Sequence, residues 1–170
     1  MPAGATYDLI STQTISSAGT TVTFSSIPGT YRDLVLIIYP KATTAADIRF
    51  RFNGDTNANY RARFASGDSG TLYSSFGSFL TSCSATAYAA TATTAGNSMH
   101  KIEIMSYSNT NTYKPVLCHS GDSTARDIIA NIWKSTSAIT SITLGGDSSL
   151  NAIFATGSIF SLYGIASANA

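Results

Sequence analysis

The sequence predicts an all-β protein, an antiparallel β-sandwich of jelly-roll-like type, and three observations lead to this fold class. The longest unbroken aliphatic run, residues 34–38, has the length of a strand rather than of a helix. Residues 48–52 and 60–64 alternate between apolar and polar side chains, which is the period of a half-buried strand. No segment sustains a helical period, whereas turn-forming residues recur between the short apolar segments.

The aliphatic run is predicted to be a central strand, covered on both faces, on which the other strands assemble. It is rich in β-branched residues and is closed by Tyr39 and Pro40. Pro28 and Gly29, shortly before it, are typical of a turn, because proline fixes φ at the first corner and glycine accepts a positive φ at the second.

Shorter patterns predict the remaining strands, which lie at residues 6–15, 20–24, 47–52, 59–64, 99–105, 113–119, 127–133, 138–144 and 157–165. Residues 41–46 are predicted to be a loop, and Asn53-Gly54 is a strong hairpin or loop signal. Pro115 places its strand near a sheet edge or at a strand start, because proline has no N–H to donate. Between residues 65 and 97 the pattern weakens, and we expect short strands and long surface loops there.

Length and composition predict a single domain, residues 1–170, whose surface is mostly hydroxyl and amide. A chain of 170 residues forms an adequate core without disulfides or metals. Charged residues make up 11% of it and the net charge is +1, against about 25% charged residues in a typical protein. Low charge with normal apolar content excludes a disordered chain. The scattered, balanced basic residues exclude a nucleic-acid binder.

The chain is expected neither to be secreted nor to insert into a membrane. Its first residues have neither the basic nor the apolar region of a secretory signal. No apolar segment approaches the roughly 20 residues that cross a bilayer. Cys83 and Cys118 are too few for a disulfide scaffold. With assembly in a reducing cytoplasm we expect two buried free thiols, and a bridge between them is the alternative.

No catalytic residue, cofactor or metal is predicted, and the protein is not expected to be an enzyme. The segment GDSG at residues 67–70 matches the core of the chymotrypsin-type protease signature. That chemistry needs the chain order His, Asp, Ser, and both His100 and His119 follow the serine. The tripeptide GDS recurs at 121–123 and 146–148, which is typical of turns. The histidines and cysteines lack the close-pair spacing of a zinc site, and we expect both histidines to be partly exposed structural residues.

Seven residues are predicted as surface or partner contacts, namely Arg49, Arg51, Asn53, Asp55, Asn57, Arg61 and Arg63. The three Asx residues belong to the oxygen-rich segment 53–59, which offers one carboxylate where calcium usually takes more. An Asx-rich hairpin loop is the main interpretation, and a weak cation or sugar contact is the alternative. The four arginines are predicted to form a ladder on an outward face. Because like charges on adjacent strands repel, we expect partners such as Asp47 or a neighbouring subunit, and a solvated face is the alternative.

Four segments together resemble a known family. They are FSSIPGTYRDL at 24–34, RFNGDTNANY at 51–60, WKSTSAITSITL at 133–144 and GSIFSLYGI at 157–165. In this order they resemble small virion proteins of tailed phages, including phages of aquatic bacteria and cyanobacteria. Related β-sandwich modules serve as trimeric capsid cement (decoration) proteins and as distal domains of tailspikes or tail fibres. The resemblance covers nearly the whole chain except residues 65–97.

The resemblance implies a structural protein of the virion with no catalytic residues. We expect a capsid cement protein that is assembled in the host cytoplasm, binds the major capsid protein and stabilises the outer capsid surface. The alternative is the distal receptor-binding module of a tail fibre, which recognises a host cell-surface glycan. The first is favoured because strand pattern begins near residue 6, which leaves no room for an attachment domain or a shaft.

A homotrimer is predicted because two strands have apolar side chains on both faces. Ile159, Tyr163 and Ile165 share one face of the last strand, and Phe160 and Leu162 share the other. The segment 127–133 shows the same property through Ile128, Ile129, Ile132 and Trp133. Another copy of the chain is the expected cover. A dimer is the commoner closed oligomer, and the family resemblance favours a trimer.

Overall fold

The computed structural model describes residues 6–68, 70–86, 93, 95–123 and 125–166, and it confirms the all-β antiparallel sandwich. None of these residues lies in a helix, so this part of the chain offers no helical membrane span. Its strands are β1 (Tyr7–Thr14), β2 (Val22–Phe24), β3 (Asp33–Tyr39), β4 (Ile48–Phe52), β5 (Tyr60–Asp68), β6 (Thr71–Leu80), β7 (Cys83–Ser84), β8 (Met99–Ile104), β9 (Lys114–Gly121), β10 (Ala125–Trp133), β11 (Ile142–Gly146) and β12 (Ile159–Ile165).

The strands form two antiparallel sheets of unequal width. The eight-stranded sheet has the order β1-β12-β3-β8-β9-β10-β5-β6, and the four-stranded sheet has the order β2-β11-β4-β7. β10 pairs with β5 along its whole length and with β9 along nearly all of it, so the middle of the large sheet is regular. β6, at one edge of the large sheet, is exposed at most of its positions.

The core lies between the two sheets and is built from alternate side chains of each strand. Ile48, Phe50 and Phe52 of β4 are fully buried, as their alternation predicts, and they join one cluster with Leu34 and Leu36 of β3. Burial of each such side chain contributes about 1.5–3 kcal/mol relative to leaving it in water. The apolar half of each alternating pattern therefore holds the two sheets together.

β3, the predicted central strand, lies between β12 and β8, third from one edge of the large sheet. Its inner side chains, Leu34, Leu36 and Ile38, are fully buried. On the outer face Val35 is buried but Ile37 is only half-buried. The prediction of cover on both faces is therefore right for the inner face and only partly right for the outer face.

The prediction of short strands between residues 65 and 97 is wrong for the first half of that region. β5 continues to Asp68, and β6 has ten residues, more than any other described strand. Side chains at successive positions of β6, from Thr71 to Phe76, are all exposed, so no alternation between apolar and polar residues marks this strand in the sequence. Residues 87–92 and 94, within the second half of the region, lie outside the described residues.

Both edges of the four-stranded sheet are capped by side-chain amides from the eight-stranded sheet. The Asn131 Oδ1 atom of β10 accepts from the Ser84 N–H (2.9 Å), and its Nδ2 donates to the Ser84 carbonyl oxygen (3.0 Å). The amide of Asn131 thus pairs with β7 as a neighbouring strand would. At the opposite edge, Gln13 Nε2 of β1 donates to the carbonyl oxygen of Thr23 in β2 (2.9 Å). These contacts satisfy backbone groups at the sheet edges and join the sheets.

Cys83 and Cys118 are both buried and free, which confirms the prediction of two unpaired thiols. Burial raises the pKa of each thiol, so both stay protonated at neutral pH. Pro115 is the second residue of β9, an interior strand, so its strand-start interpretation is right.

Candidate functional surface

The outer face of the eight-stranded sheet leaves large apolar side chains in contact with solvent. Successive side chains of a strand point to opposite faces, so the residues between the core positions form this outer face. The exposed apolar residues at or beside it are Tyr7, Leu9, Tyr39, Leu72, Phe76, Met99, Met105, Ile128 and Ile159. Monomeric proteins rarely expose contiguous apolar patches larger than about a few hundred Å². This face is therefore the candidate functional surface.

β10 and β12 have apolar side chains on both faces, as predicted. In β12 Phe160 is fully buried in the core, whereas Ile159 is exposed. In β10 Ile129 and Trp133 are buried, whereas Ile128 is exposed. The described chain supplies a cover for the inner side chains of each strand and leaves these outer ones in water.

One part of the face, here called the aromatic patch, consists of Tyr7, Leu9, Tyr39, Met99, Ile159 and Tyr163. These residues come together because their strands, β1, β12, β3 and β8, are consecutive neighbours in the sheet. Leu9 lies opposite Tyr163, and Tyr39 lies opposite Ile159. The rings of Tyr7 and Tyr163 pack edge to face with centroids 6.3 Å apart. Tyrosines combine a large apolar area with a hydroxyl group, which suits a protein interface.

An open cleft of about 550 Å³ adjoins the aromatic patch at Tyr39 and Met99. Its other lining residues include Lys101, His119 and Arg126, so hydrogen-bonding groups lie beside the apolar side chain of Met99. The ammonium group of Lys101 lies 2.6 Å from a carboxylate oxygen of Glu103 on the same strand. This hydrogen bond raises the pKa of Lys101, so the ammonium group stays protonated and paired with Glu103 at neutral pH.

A second apolar area lies at the opposite edge of the face, on β6. The Leu72 side chain is 79% exposed and that of Phe76 is 67% exposed. The guanidinium carbon of Arg63 lies 4.9 Å from the centre of the Phe76 ring, within the range of a cation–π contact. This area belongs to an edge strand, which pairs with β5 and with no other strand of the described residues.

The predicted ladder of four arginines is wrong, because its two halves belong to different sheets. Arg49 and Arg51 lie on β4, whereas Arg61 and Arg63 lie on β5, and these strands do not pair. Alternation shows which residues share a face of one strand, but it does not show which sheet the strand joins. Asp47 is the partner of Arg49, as predicted, with 3.1 Å between Oδ2 and Nη2. A role for these arginines in binding a partner stays a prediction.

The Asx-rich segment after β4 makes hydrogen bonds within the protein. Asn53 Oδ1 accepts from the N–H groups of Thr140 (2.9 Å) and Ser141 (3.1 Å). Asp55 Oδ2 accepts from the indole N–H of Trp133 at 2.7 Å. Asn53 and Gly54 both adopt positive φ, as their sequence predicts. They connect two different sheets and do not form a two-stranded hairpin.

Asn57 completes the same network by donating to Asp55 Oδ1 from its backbone N–H (2.9 Å) and from Nδ2 (2.8 Å). The segment thus acts as a folded connection whose carboxylate is already surrounded by donors. Whether Asn53, Asp55 and Asn57 also contact a partner stays a prediction.

The two histidines have different environments. His119 is exposed, whereas His100 is fully buried, which corrects the expectation that both are partly exposed. His100 lies on the inner face of β8, with its ring nitrogens 3.4 Å from the Ala85 carbonyl oxygen and 3.2 Å from Ser98 Oγ. Burial lowers the pKa of His100 to about 4. Within the described ranges, no group of three or more His, Cys, Asp or Glu side chains could hold a metal ion.

Two of the three GDS tripeptides lie at turns, as predicted. Asp122 Oδ1 accepts from the Ala125 N–H (2.9 Å) at the connection between β9 and β10. Asp147 has a positive φ of 57°, and its carbonyl oxygen accepts from the Leu150 N–H (3.2 Å). In the copy at 67–70, Ser69 lies outside the described residues.

Most of the aromatic patch and all of the apolar area on β6 were not predicted from the sequence. A signal for the patch exists in β3, where the outward positions Val35, Ile37 and Tyr39 are all apolar or aromatic. Such a strand needs cover on both faces. No comparable signal marks Leu72 and Phe76, because Ser74 stands between them at the alternate position of β6.

No protein-family model and no curated protein matches this chain. Among solved structures it is similar to the fructofuranosidase of Schwanniomyces occidentalis in complex with fructose, with a TM-score of 0.27 and 7% identity, over 95% of this chain and 35% of that one. It is also similar to the alginate lyase Aly36B, with a TM-score of 0.27 and 12% identity, over 94% of this chain and 71% of that one. This chain spans about a third of the fructofuranosidase. Similarity at this level carries no argument about function.

Proposed function

We propose that this chain is a structural protein of a tailed-phage virion, a capsid cement subunit that stabilises the outer capsid surface. The observation that carries the proposal is the exposed apolar outer face of the eight-stranded sheet. A broad apolar face suits contact between proteins, whereas a small ligand needs a concave site. The phage origin rests on the resemblance of residues 24–34, 51–60, 133–144 and 157–165 to virion proteins.

In this proposal the aromatic patch packs against a neighbouring copy to form a homotrimer. A contact between two different surfaces of identical subunits closes into a ring when the rotation allows it. The chain has 19 charged residues, 10 basic and 9 acidic, so little repulsion keeps its copies apart. The major capsid protein is the second partner, and the trimer sits on its outer surface after assembly in the host cytoplasm. This role needs no catalytic residue, cofactor or nucleic acid.

Labelling of intact virions tests the location. An antibody fragment raised against this chain is expected to decorate the head in many copies, and prior incubation of the fragment with purified protein should abolish the label. Label confined to the tail would reject the cement proposal and support the alternative below. Virions that bind no fragment would reject both.

The second candidate is a distal tail-fibre module that binds a host cell-surface glycan. The cleft beside the aromatic patch favours it, because an exposed Tyr39 ring stands next to the hydrogen-bonding groups of Lys101, His119 and Arg126. Aromatic surface with a few convergent polar groups is the usual make-up of a ligand site.

Binding of the purified protein to host surface polysaccharide tests this candidate. If it is right, Tyr39→Ala should abolish binding, and Tyr113→Ala should leave it unchanged. Tyr113 is a matched control because it is similarly exposed and does not line the cleft. Equal binding by both variants would show that the cleft is not the glycan site.

A further inference from the structure

We propose that β6 is a self-pairing edge, which joins β6 of a second copy in antiparallel register about a two-fold axis at Ser74. The proposal goes beyond the cement function, because it adds a contact that involves neither the aromatic patch nor the capsid. It rests on three observations: how the sheet edges are protected, how regular β6 is, and how its side chains are ordered.

β6 is the unprotected edge among the sheet edges of the described chain. Both edges of the small sheet are capped, by Asn131 and by Gln13. The other edge of the large sheet, β1, is broken by a bulge between Leu9 and Ser11 and carries the charge of Asp8. Bulges, charges and covers are the devices by which proteins prevent edge-to-edge association.

Between residues 71 and 76, β6 has no bulge, no charged residue and, among the residues that the structure describes, no strand partner other than β5. Its ten residues include no charged residue and no proline. Residues 71–76 pair with β5 in unbroken register, and the one irregularity lies beyond them, between Gly77 and Leu80. A long, flat, apolar edge strand presents a row of backbone donors and acceptors that another strand can pair with. β6 therefore provides a template for strand addition.

The order of side chains on β6 selects a second copy as the occupant. Leu72, Ser74 and Phe76 are alternate residues and project on the same outer face as Arg63, which lies opposite Phe76. In an antiparallel pair centred on Ser74, Leu72 of each copy lies opposite Phe76 of the other, and the two Ser74 side chains face each other. This register pairs apolar with apolar groups and places no like charges opposite one another. A foreign strand would lack this self-complementarity.

A cysteine at the axis tests the register. Residues directly opposite in an antiparallel pair have Cα atoms about 4.5–5.5 Å apart, within the about 4.4–6.8 Å that a disulfide spans. Ser74→Cys is therefore expected to form a covalent dimer under mild oxidation. Thr12→Cys, exposed on the opposite edge strand, is the matched control and should stay monomeric on a denaturing gel. The native Cys83 and Cys118 are buried and should not react.

The two-fold pairing would be overturned if the Ser74→Cys variant formed no covalent dimer. It would also be overturned if the Thr12→Cys variant formed the same fraction of covalent dimer.

Light scattering separates this inference from the proposed function. Leu72→Lys places a charge on the β6 edge, and Leu9→Lys places one in the aromatic patch, where the Leu9 side chain is 58% exposed. Because both side chains are largely in solvent, neither variant should disturb the fold. The Leu9→Lys variant is expected to be a dimer, and adding Leu72→Lys should halve its mass.

The proposed trimer fails if Leu72→Lys alone gives a mass other than a trimer, and that result leaves the β6 pairing standing. The β6 pairing fails if the Leu9→Lys variant is already a monomer, or if Leu72→Lys lowers its mass without any Ser74→Cys cross-link. In the last case β6 contacts a different surface of the second copy.

Discussion

Asp55 shows how much one side chain organises in this protein. Burial pushes its pKa upward, but hydrogen bonds from Asn59, Trp133 and Asn57 outweigh burial and hold the pKa below its ordinary value. Trp133 packs against Phe52 at 5.5 Å between ring centroids, so Asp55 fixes one end of the aromatic core. A carboxylate that is surrounded by donors stabilises the fold through its charged form.

We predict that Asp55→Ala lowers the free energy of unfolding by about 2–3 kcal/mol, because it leaves the Trp133 indole N–H without its acceptor. Asp55→Asn retains an acceptor without the charge and should lose about half as much. Asp8→Ala, on an edge strand, should change stability by no more than about 0.5 kcal/mol. Urea denaturation of the three variants measures this. An Asp55→Ala variant as stable as the native protein would show that this carboxylate is only a surface group.

The buried side chain of His100 should make the stability of the fold sensitive to acid. Its pKa falls from 6.5 to about 4 because burial penalises the charged ring, and the hydrogen bond to Ala85 and then the charges of Asp127 and Asp122 oppose the shift. The unfolded chain therefore binds a proton that the folded protein does not bind between these two pH values. The stability that depends on neutral His100 is fully present above pH 6.5, and it is lost progressively as the pH falls towards 4. The expected total loss is about 3 kcal/mol.

Chemical denaturation at a series of pH values tests this prediction. The His100→Gln variant keeps hydrogen-bonding groups beside Ala85 and Ser98 but does not titrate. Its stability should be nearly flat between pH 6.5 and 4, whatever its stability at neutral pH. A slope equal to that of the native protein would assign the acid sensitivity to other groups.

At the scale of secondary-structure elements, β7 is a strand of two residues that depends on one amide. Asn131 supplies both hydrogen bonds to the free side of Ser84. We predict that Asn131→Ala costs about 2–4 kcal/mol, because it leaves a buried donor and a buried acceptor unpaired. Hydrogen exchange at the Ser84 amide should accelerate more than exchange in β3. Uniform acceleration across both strands would mean that Asn131 supports global stability and not this edge.

The elements also show what could be read from the sequence. β4 was predicted because Ile48, Phe50 and Phe52 face a core while the residues between them face solvent. β6 was not predicted, because both of its faces are exposed and its apolar and polar residues therefore do not alternate. Sheet membership was not predictable either. Pairing joins strands far apart in the chain, as β11 joins β2 and β4, and the side chains of one strand do not encode its neighbour.

Only part of the candidate surface could be predicted from the sequence. Ile159 and Ile128 were predicted because the sequences of β12 and β10 place apolar residues on both faces of the strand. The aromatic patch needs the order β1-β12-β3-β8, which brings Tyr7 beside Tyr163 and Tyr39 beside Ile159. Sequence pattern identifies the members of such a surface one strand at a time, and topology assembles them.

At the scale of the whole molecule, the aromatic patch that we propose for assembly has no charged residue among its six members. Salt screens ionic contacts but does not weaken apolar ones. We therefore predict that the mass measured by light scattering stays constant between low salt and about 1 M NaCl. The melting temperature should rise with protein concentration, since association stabilises the folded state. A mass that falls with salt would instead implicate Arg61 and Arg63 as ionic contacts.

The pairing of β1 with β12 determines how the protein responds to force. Tyr7 lies opposite Ile165, so the outer ends of the two strands lie side by side. A load that pulls these two residues apart breaks the backbone hydrogen bonds between β1 and β12 one pair after another, and β1 separates progressively from the sheet. A load directed along β6 is shared by all the backbone hydrogen bonds that join residues 71–76 to β5. The protein thus yields readily when Tyr7 and Ile165 are pulled apart and resists a load directed along β6.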